Sequence, residues 1–196
     1  MENSISAGAI QKIFAQGKTR QGSTVFQGKV LKLKLVDVEL PAGKVVQQEL
    51  VQHAEVASVV PLTRDDQLLM IRQYRNAVGS LLLEMPAGRI EPGENPAEAA
   101  RRELREETGY EAEQLTRLLS FFPAPGFCDM LVHVFLATEL TFLGQNLDDT
   151  EFVEVVKIPF AQAVQRVWSG EIRDTTSAAG ILAAESLIKN NFKLIK

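Results

Sequence analysis

The sequence predicts an α+β fold, or a three-layer mixed fold, in which many strands accompany few helices. Short runs of alternating apolar and polar residues fill most of the chain between residues 25 and 85. A clear helical pattern first appears near residue 95, and later strand-like and helix-like runs follow one another irregularly. That order differs from the strict strand-helix alternation of a parallel α/β sheet.

The N-terminal part, residues 1–52, is predicted to be an antiparallel β segment. One long strand is expected over 25–40, with a bulge or bend at Val36, where the apolar residues change sides. A turn at 41–43 leads to a second strand over 44–51. Because these strands have little helical cover of their own, we expect them to pair with a second subunit in a homodimer, or else to extend the main sheet.

Residues 53–196 are predicted to form the main domain, built from further strands and three helices. The strands are expected over 55–62, 67–74, 81–85, 115–122, 131–140 and 152–158. The helices are expected over 96–108, 160–168 and 175–190. In the first helix Asn95 is the expected N-cap, Pro96 the first helical residue and Gly109 the residue that ends it.

The composition is ordinary for a globular protein and excludes some classes of partner. The chain has 196 residues, enough to bury a core, and its net charge of −4 argues against a general duplex-DNA binder. A small anionic substrate is compatible with that charge if divalent cations are bound. The single cysteine, Cys128, excludes an internal disulfide and favours the reducing cytoplasm. We expect neither a signal peptide, a membrane span nor a nucleic-acid partner.

Three glutamates stand out on the helix predicted over 96–108. Glu103, Glu106 and Glu107 are spaced i, i+3 and i+4, so their carboxylates project from one helical face. Like charges at this spacing destabilise a bare helix, and a hard divalent cation with oxygen ligands would compensate. A solvated acidic face beside neighbouring arginines is the simpler interpretation when the three residues are taken alone.

The residues on either side of the three glutamates favour a cation site over a solvated acidic face. The segment 88–110 reads GRIEPGENPAEAARRELREETGY and resembles the Nudix box over its full length. Tyr110 is the one departure, at a position that is usually aliphatic. The resemblance implies an α/β/α sandwich with a mixed sheet, in which the box forms a loop, a helix and a second loop.

The resemblance also implies a role for each residue of the box. Glu103, Glu106 and Glu107 would bind Mg²⁺, with Mn²⁺ as the alternative, and Glu106 and Glu107 would take part in catalysis. The resemblance further implies that four residues support the motif: Glu94 by orienting the loop, Arg102 by a salt bridge to the glutamates, and Gly88 and Gly109 by their backbone geometry.

Flanking residues are similar to those of ADP-ribose pyrophosphatases. In that subfamily the carbonyl oxygen at the position of Ala87 ligates a metal, and the resemblance implies that Glu84, in the same run of residues, helps to bind the substrate. Arg75 matches an arginine that contacts the substrate diphosphate, and Pro125 matches a downstream proline of the substrate site. Met130 stands where a glutamate is frequent, so this loop does not define the substrate. Without the resemblance, Arg75 would be read as an exposed residue at the end of a strand and Pro125 as an ordinary turn proline.

The general base is expected outside the box. Glu151 lies in an acidic loop that resembles the loop carrying the catalytic glutamate of the subfamily, and Glu154 is the second choice. A solvated acidic loop is the alternative interpretation. His53 and His133 are interpreted as packed or hydrogen-bonded residues.

The function implied by the resemblance is Mg²⁺-dependent hydrolysis of ADP-ribose, or of a related nucleoside diphosphate sugar, to AMP and ribose 5-phosphate. Two alternatives stay open. The first is a Nudix hydrolase for another nucleoside diphosphate derivative, such as GDP-mannose or a dinucleotide. The second is a sensor that binds ADP-ribose without cleaving it.

Overall fold

A computed structural model of the chain describes residues 18–40, 43–146 and 152–190. Ten strands and three helices lie in the described residues. The strands are β1 (Lys18–Gln27), β2 (Leu31–Glu39), β3 (Val45–His53), β4 (Val56–Pro61), β5 (Gln67–Arg75), β6 (Ser80–Glu84), β7 (Ala87–Arg89), β8 (Tyr110–Phe121), β9 (Val132–Phe142) and β10 (Val153–Pro159). The helices are α1 (Pro96–Thr108), α2 (Phe160–Trp168) and α3 (Thr175–Asn190). This is the predicted α+β architecture.

The chain forms two compact units, and the first contains residues 1–53 and 124–130. Its sheet has the order β1-β2-β3, with both pairs antiparallel, as predicted for the N-terminal segment. The segment 124–130 lies beside β3, because the Val51 N–H donates to the Phe127 carbonyl at 2.7 Å and the Asp129 N–H donates to the Val51 carbonyl at 3.1 Å. Two distant parts of the sequence therefore build this unit.

The prediction of one bent strand over 25–40 is wrong. The chain reverses after Gln27, and the Gly28 N–H donates to the Leu31 carbonyl at 2.9 Å. β2 then pairs with β3 in an unbroken register, so no bulge lies at Val36. Residues on both sides of β2 are partly buried, which explains why apolar residues occur on both of its faces.

The second unit contains residues 54–123 and 131–196. One sheet has the order β7-β4-β9-β8 and is mixed, since β4 and β9 run parallel while the other pairs are antiparallel. The other sheet has the order β10-β5-β6 and is antiparallel. α1 packs on the face of β9 that carries Phe135, whereas α3 approaches Val134 on the opposite face. Helices therefore cover both sides, as in the predicted α/β/α sandwich.

α1 begins and ends where the sequence predicted. The Asn95 side chain accepts hydrogen bonds from the Ala97 and Glu98 N–H groups, and Glu98 accepts one from the Asn95 N–H, which completes a capping box. Gly109 ends the helix with φ of 78°, a left-handed conformation that favours glycine. β8 follows at once from Tyr110, so the predicted start of that strand at residue 115 is wrong.

The strand β7 was not predicted from the sequence, and it is short. The strands and helices predicted over 152–158, 160–168 and 175–190 match β10, α2 and α3 to within one residue at each end. No helix among the described residues is long and apolar enough to cross a membrane.

Candidate active site

The three glutamates of α1 lie at the helix face that meets β7. Glu103 and Glu107 are 7% and 3% exposed, and Glu106 is partly exposed. The adjoining face of the helix buries Ala100 and Leu104 in the core. Because the apolar face fixes the rotation of the helix, the carboxylates are held in place by the packing of the core.

Arg102 joins the carboxylates of the motif. Its Nη1 donates to Glu103 Oε1 at 2.7 Å and to Glu106 Oε2 at 3.0 Å. Its Nε and Nη2 donate to the two carboxylate oxygens of Glu94 at 2.9 and 3.0 Å. The hydrogen bonds with Glu94 are the main cause of the raised pKa of Arg102, and the same contact lowers the pKa of Glu94.

Gly88 brings the backbone of β7 against Glu103. A Cβ at residue 88 would lie 2.0 Å from the carboxyl carbon of Glu103, a distance that real atoms cannot share. The neighbouring Ala87 N–H donates to Glu107 Oε2 at 2.9 Å. Residues 87 and 88 therefore lie in direct contact with two of the three carboxylates.

Arg75 and Glu84 form a bidentate ion pair between β5 and β6. Arg75 Nε lies 3.0 and 2.9 Å from the two oxygens of Glu84, and Nη2 lies 2.5 Å from Oε2. The Glu84 side chain is buried, while that of Arg75 is 45% exposed. The pKa of Arg75 is raised, mainly by this hydrogen bond and further by the negative charges of Glu84, Glu107 and Asp174. Arg75 therefore has acidic neighbours from β6, α1 and the start of α3.

Three predicted residues remain, Pro125, Glu154 and Glu151. Pro125 belongs to the first unit, with the N-terminal sheet. Glu154 lies on β10, exposed, with its carboxylate 2.6 Å from Arg72 Nη1. Glu151, the expected base, lies outside the described residues.

His133 is buried and hydrogen-bonded, as predicted. Its Nδ1 lies 2.8 Å from Ser120 Oγ, and its Nε2 lies 2.8 Å from Glu55 Oε2. Arg117 Nη2 also lies 3.3 Å from Nδ1, so the ring has three partners, all within the second unit.

Two residues at the start of α3 were missed by sequence reasoning. Ser177 is buried and accepts a hydrogen bond from the Met85 N–H at 2.8 Å. Asp174 precedes the helix and accepts from the Ser177 N–H at 2.8 Å. The only local signal was an aspartate before a predicted helix, which is typical of an N-cap and says nothing about contact with β6.

The donor atoms on α1 suit a hard divalent cation. Glu103, Glu106 and Glu107 offer carboxylate oxygens, which are the ligands that Mg²⁺ and Mn²⁺ prefer, and the amide of Ala87 contacts one of them. Within the described residues, no three acidic, histidine or cysteine side chains are arranged to hold a metal ion as they stand. Arg102 engages Glu103 and Glu106 instead, so a cation would have to compete with that arginine.

Known proteins resemble this chain over most of its length. The NUDIX domain matches residues 52–177. An ADP-ribose pyrophosphatase from Bacillus subtilis (strain 168) is 42% identical over 84% of this chain and 90% of its own length. A methanol dehydrogenase activator from Bacillus methanolicus is 37% identical over 87% of this chain and 92% of its own. The crystal structure of an ADP compounds hydrolase superposes with a TM-score of 0.81 at 25% identity, covering 91% of this chain and 97% of that one.

Proposed function

The chain belongs to the Nudix family and is a pyrophosphohydrolase, and we propose that its substrate is ADP-ribose or a related nucleoside diphosphate sugar. The products would be AMP and ribose 5-phosphate. The relative from Bacillus subtilis, named for ADP-ribose, supports this choice because the similarity spans nearly the whole of both chains.

The observation that carries the proposal is the contact between the carboxylates of α1 and residues 84–88. Glu107 accepts from the Ala87 amide, and Glu103 lies against Gly88. Three residues before Ala87 is Glu84, whose carboxylate holds Arg75. The segment 84–88 thus contacts both the acidic side chains of α1 and, through Glu84, the cationic side chain of Arg75. This arrangement suits a diphosphate, whose negative charge can be neutralised by a metal ion and by an arginine together.

Arg75 is the residue we assign to the substrate diphosphate. A guanidinium can donate two parallel hydrogen bonds to phosphate oxygens, and the exposed part of Arg75 is open to such a ligand. Glu84 fixes the direction of the guanidinium through its two carboxylate oxygens. Pro125 is proposed as a further residue of the substrate site.

Glu103, Glu106, Glu107 and the carbonyl oxygen of Ala87 are the proposed ligands of Mg²⁺, with Mn²⁺ as the alternative. A bound divalent cation neutralises phosphate charge and lowers the pKa of a water molecule. Arg102 orients two of these carboxylates and offsets part of their mutual repulsion.

Glu151 is proposed as the general base, with Glu154 as the alternative. Loss of turnover in Glu151→Gln, together with normal turnover in Glu154→Gln, would support the first assignment. The reverse pattern would transfer the role to Glu154.

The experiment that tests the proposed function is a substrate panel. The full chain is incubated with ADP-ribose, NADH and GDP-mannose in Mg²⁺, in Mn²⁺ and in EDTA, and the products are separated by chromatography. We expect the highest kcat/KM for ADP-ribose, AMP and ribose 5-phosphate as products, and no turnover in EDTA. Preference for GDP-mannose or NADH would favour another hydrolase of the family. Tight ADP-ribose binding without turnover of any compound would favour the sensor.

A cytoplasmic homodimer is the proposed state of the protein, with residues 1–52 pairing with a second copy. Large apolar side chains of the first unit support this, since Val25, Phe26 and Val30 are exposed. We propose no nucleic-acid partner, because the net charge is −4, and no membrane partner, because the sequence has no run of eighteen apolar residues.

A further inference from the structure

The Met85 amide makes a buried contact with the last helix. Its N–H donates to Ser177 Oγ at 2.8 Å, and the two residues are 92 positions apart in the sequence. Met85 and Ser177 are 2% and 1% exposed. Water therefore cannot replace the hydroxyl as the acceptor, and this amide depends on Ser177.

Ser177 is itself held in position. Its N–H donates to Asp174 Oδ1, and the Ala178 N–H donates to the Asp174 carbonyl at 3.1 Å, so Asp174 caps the start of α3. One turn later, a Cβ at residue 180 would lie 2.5 Å from Met85 Cε. Gly180 thus lets the first turns of α3 lie directly on Met85.

The next two residues of the chain are held by other elements. The Pro86 carbonyl accepts from Ser58 Oγ at 3.1 Å and from the Val59 N–H at 2.9 Å, both on β4. The Ala87 N–H donates to Glu107 on α1. Three consecutive residues are therefore bound to α3, β4 and α1 in turn, and a shift at Met85 would be transmitted to Ala87.

Asp174 also interacts electrostatically with the pair formed by Arg75 and Glu84. Its Oδ2 is buried and has no hydrogen-bond partner in the described part of the chain. The negative charge of Asp174 is one of those that raise the pKa of Arg75. The pKa of Asp174 is itself raised, mainly by burial and further by the negative charge of Glu84. The start of α3 therefore lies near the Arg75–Glu84 pair as well as against Met85.

We propose that Ser177, held by Asp174, is a positioning residue of the active site. By fixing the Met85 amide it sets the backbone between the Glu84 carboxylate, which holds Arg75, and the Ala87 carbonyl oxygen. The inference deepens the proposed function and rests on it for the roles of Arg75 and Ala87. A merely structural Ser177 would affect overall stability without affecting these groups selectively.

The test compares Ser177→Ala with Ser186→Ala, a matched control on the exposed side of the same helix. Three quantities are measured on the full chain: amide hydrogen exchange at Met85 and Ala87, affinity for Mn²⁺ alone by electron paramagnetic resonance, and kcat and KM for ADP-ribose. We expect Ser177→Ala to speed exchange at both amides and to weaken Mn²⁺ binding and lower kcat by roughly 10- to 100-fold each, as for residues that orient metal ligands. Ser186→Ala should match the wild type.

Unchanged exchange at Ala87 together with wild-type Mn²⁺ affinity in Ser177→Ala would overturn the proposal. If Ser177→Ala does not fold, Ser177→Cys, which keeps an atom at the γ position but is a weaker acceptor, is judged by the same exchange and Mn²⁺ measurements. Absence of ADP-ribose turnover in the wild type would refute the proposed function instead. Exchange and Mn²⁺ binding would still decide whether Ser177 positions the segment.

Discussion

Glu107 is more deeply buried than Glu103 and Glu106, the other two glutamates on the same face of α1, and it also contacts the backbone of β7. Its Oε2 accepts the hydrogen bond of the Ala87 amide, which ties a proposed metal ligand to a second one. A substitution that removes the charge of Glu107 but keeps an oxygen to accept from Ala87 should therefore affect catalysis without affecting the stability of the fold.

Glu107→Gln should lower kcat for ADP-ribose by roughly 10²- to 10⁴-fold, the range typical of a directly acting group. The thermal midpoint should stay close to that of the wild type, because the glutamine oxygen can still accept from Ala87. Steady-state kinetics and thermal unfolding measure the two effects, with Glu113→Gln on exposed β8 as the control. Near-normal turnover would remove Glu107 from the chemistry.

Asp174 gives a pH-dependent prediction. Burial raises its pKa above the ordinary 3.8, and the negative charge of Glu84 adds to the shift. An acid whose pKa is higher in the folded state stabilises the fold fully below its unfolded pKa, and this stabilisation is lost as the pH rises through the folded pKa.

The free energy of unfolding of the wild type, relative to Asp174→Asn, should therefore fall as the pH rises from the ordinary pKa of 3.8 through the raised pKa of Asp174. The asparagine retains an oxygen for the Ser177 N–H, so the cap is kept in both proteins. Urea titrations at several pH values measure the difference. If the difference in the free energy of unfolding between the two proteins does not change with pH, burial does not shift the pKa of the Asp174 carboxyl.

At the scale of elements, α1 and β7 meet at Gly88. Its φ is not positive, so the reason for glycine here is the close approach of the Glu103 carboxylate. Gly109 differs, because it combines a left-handed φ with a Cβ position 2.7 Å from the backbone of Gln145. The two glycines of the motif therefore serve different physical requirements.

Gly88→Ala should displace the Glu103 carboxylate while leaving the fold intact, since the atoms in the way are the end of a flexible side chain. We expect Mn²⁺ affinity to fall by roughly 10- to 100-fold with little change in the thermal midpoint. Isothermal titration of Mn²⁺ measures the effect. In a protein that already carries Glu103→Ala, Gly88→Ala should cause no further loss of Mn²⁺ affinity. A further loss as large as that in the wild type would mean that Gly88 does not act through Glu103.

Local signals explain which elements could be predicted. Both ends of α1 follow from Asn95 and Gly109, whose capping preferences act within a few residues. The reversal at Gly28 was missed, although Gln27, Gly28 and Lys29 interrupt the alternation there and glycine is a typical turn residue. The first residues of β8 were missed because this strand lies at the edge of its sheet and exposes Glu111 and Glu113, so it resembles a loop.

The same distinction applies to the site. The carboxylate stripe could be predicted because spacing on a helix fixes which side chains share a face. The contact of Ser177 with Met85 could not, because it joins residues 92 positions apart and depends on how α3 packs. For the same reason the pairing of β3 with residues 124–130 had no local signal.

At the scale of the whole molecule, the first unit exposes apolar side chains that a monomer would leave in water. Phe26 on β1 is 56% exposed, and Val25, Val30 and Val45 are exposed in the same unit. Such side chains are typical of a surface that pairs with another chain.

Phe26→Asp should convert the proposed dimer into a monomer, because a carboxylate would be buried without a partner at the interface. Light scattering after size-exclusion chromatography measures the mass. Gln27→Asp places the same charge at the next residue, which points to the other face of β1, and should leave the dimer intact. A monomeric wild type would contradict the proposal for residues 1–52.

The most direct measurement is the anomalous scattering of crystals soaked in Mn²⁺ together with a non-hydrolysable analogue of ADP-ribose. The account predicts Mn²⁺ peaks within coordination distance of Glu103, Glu107 and the Ala87 carbonyl oxygen, with the analogue's diphosphate beside Arg75. Peaks and analogue bound at another place, with Arg102 still joined to Glu103 and Glu106, would contradict it.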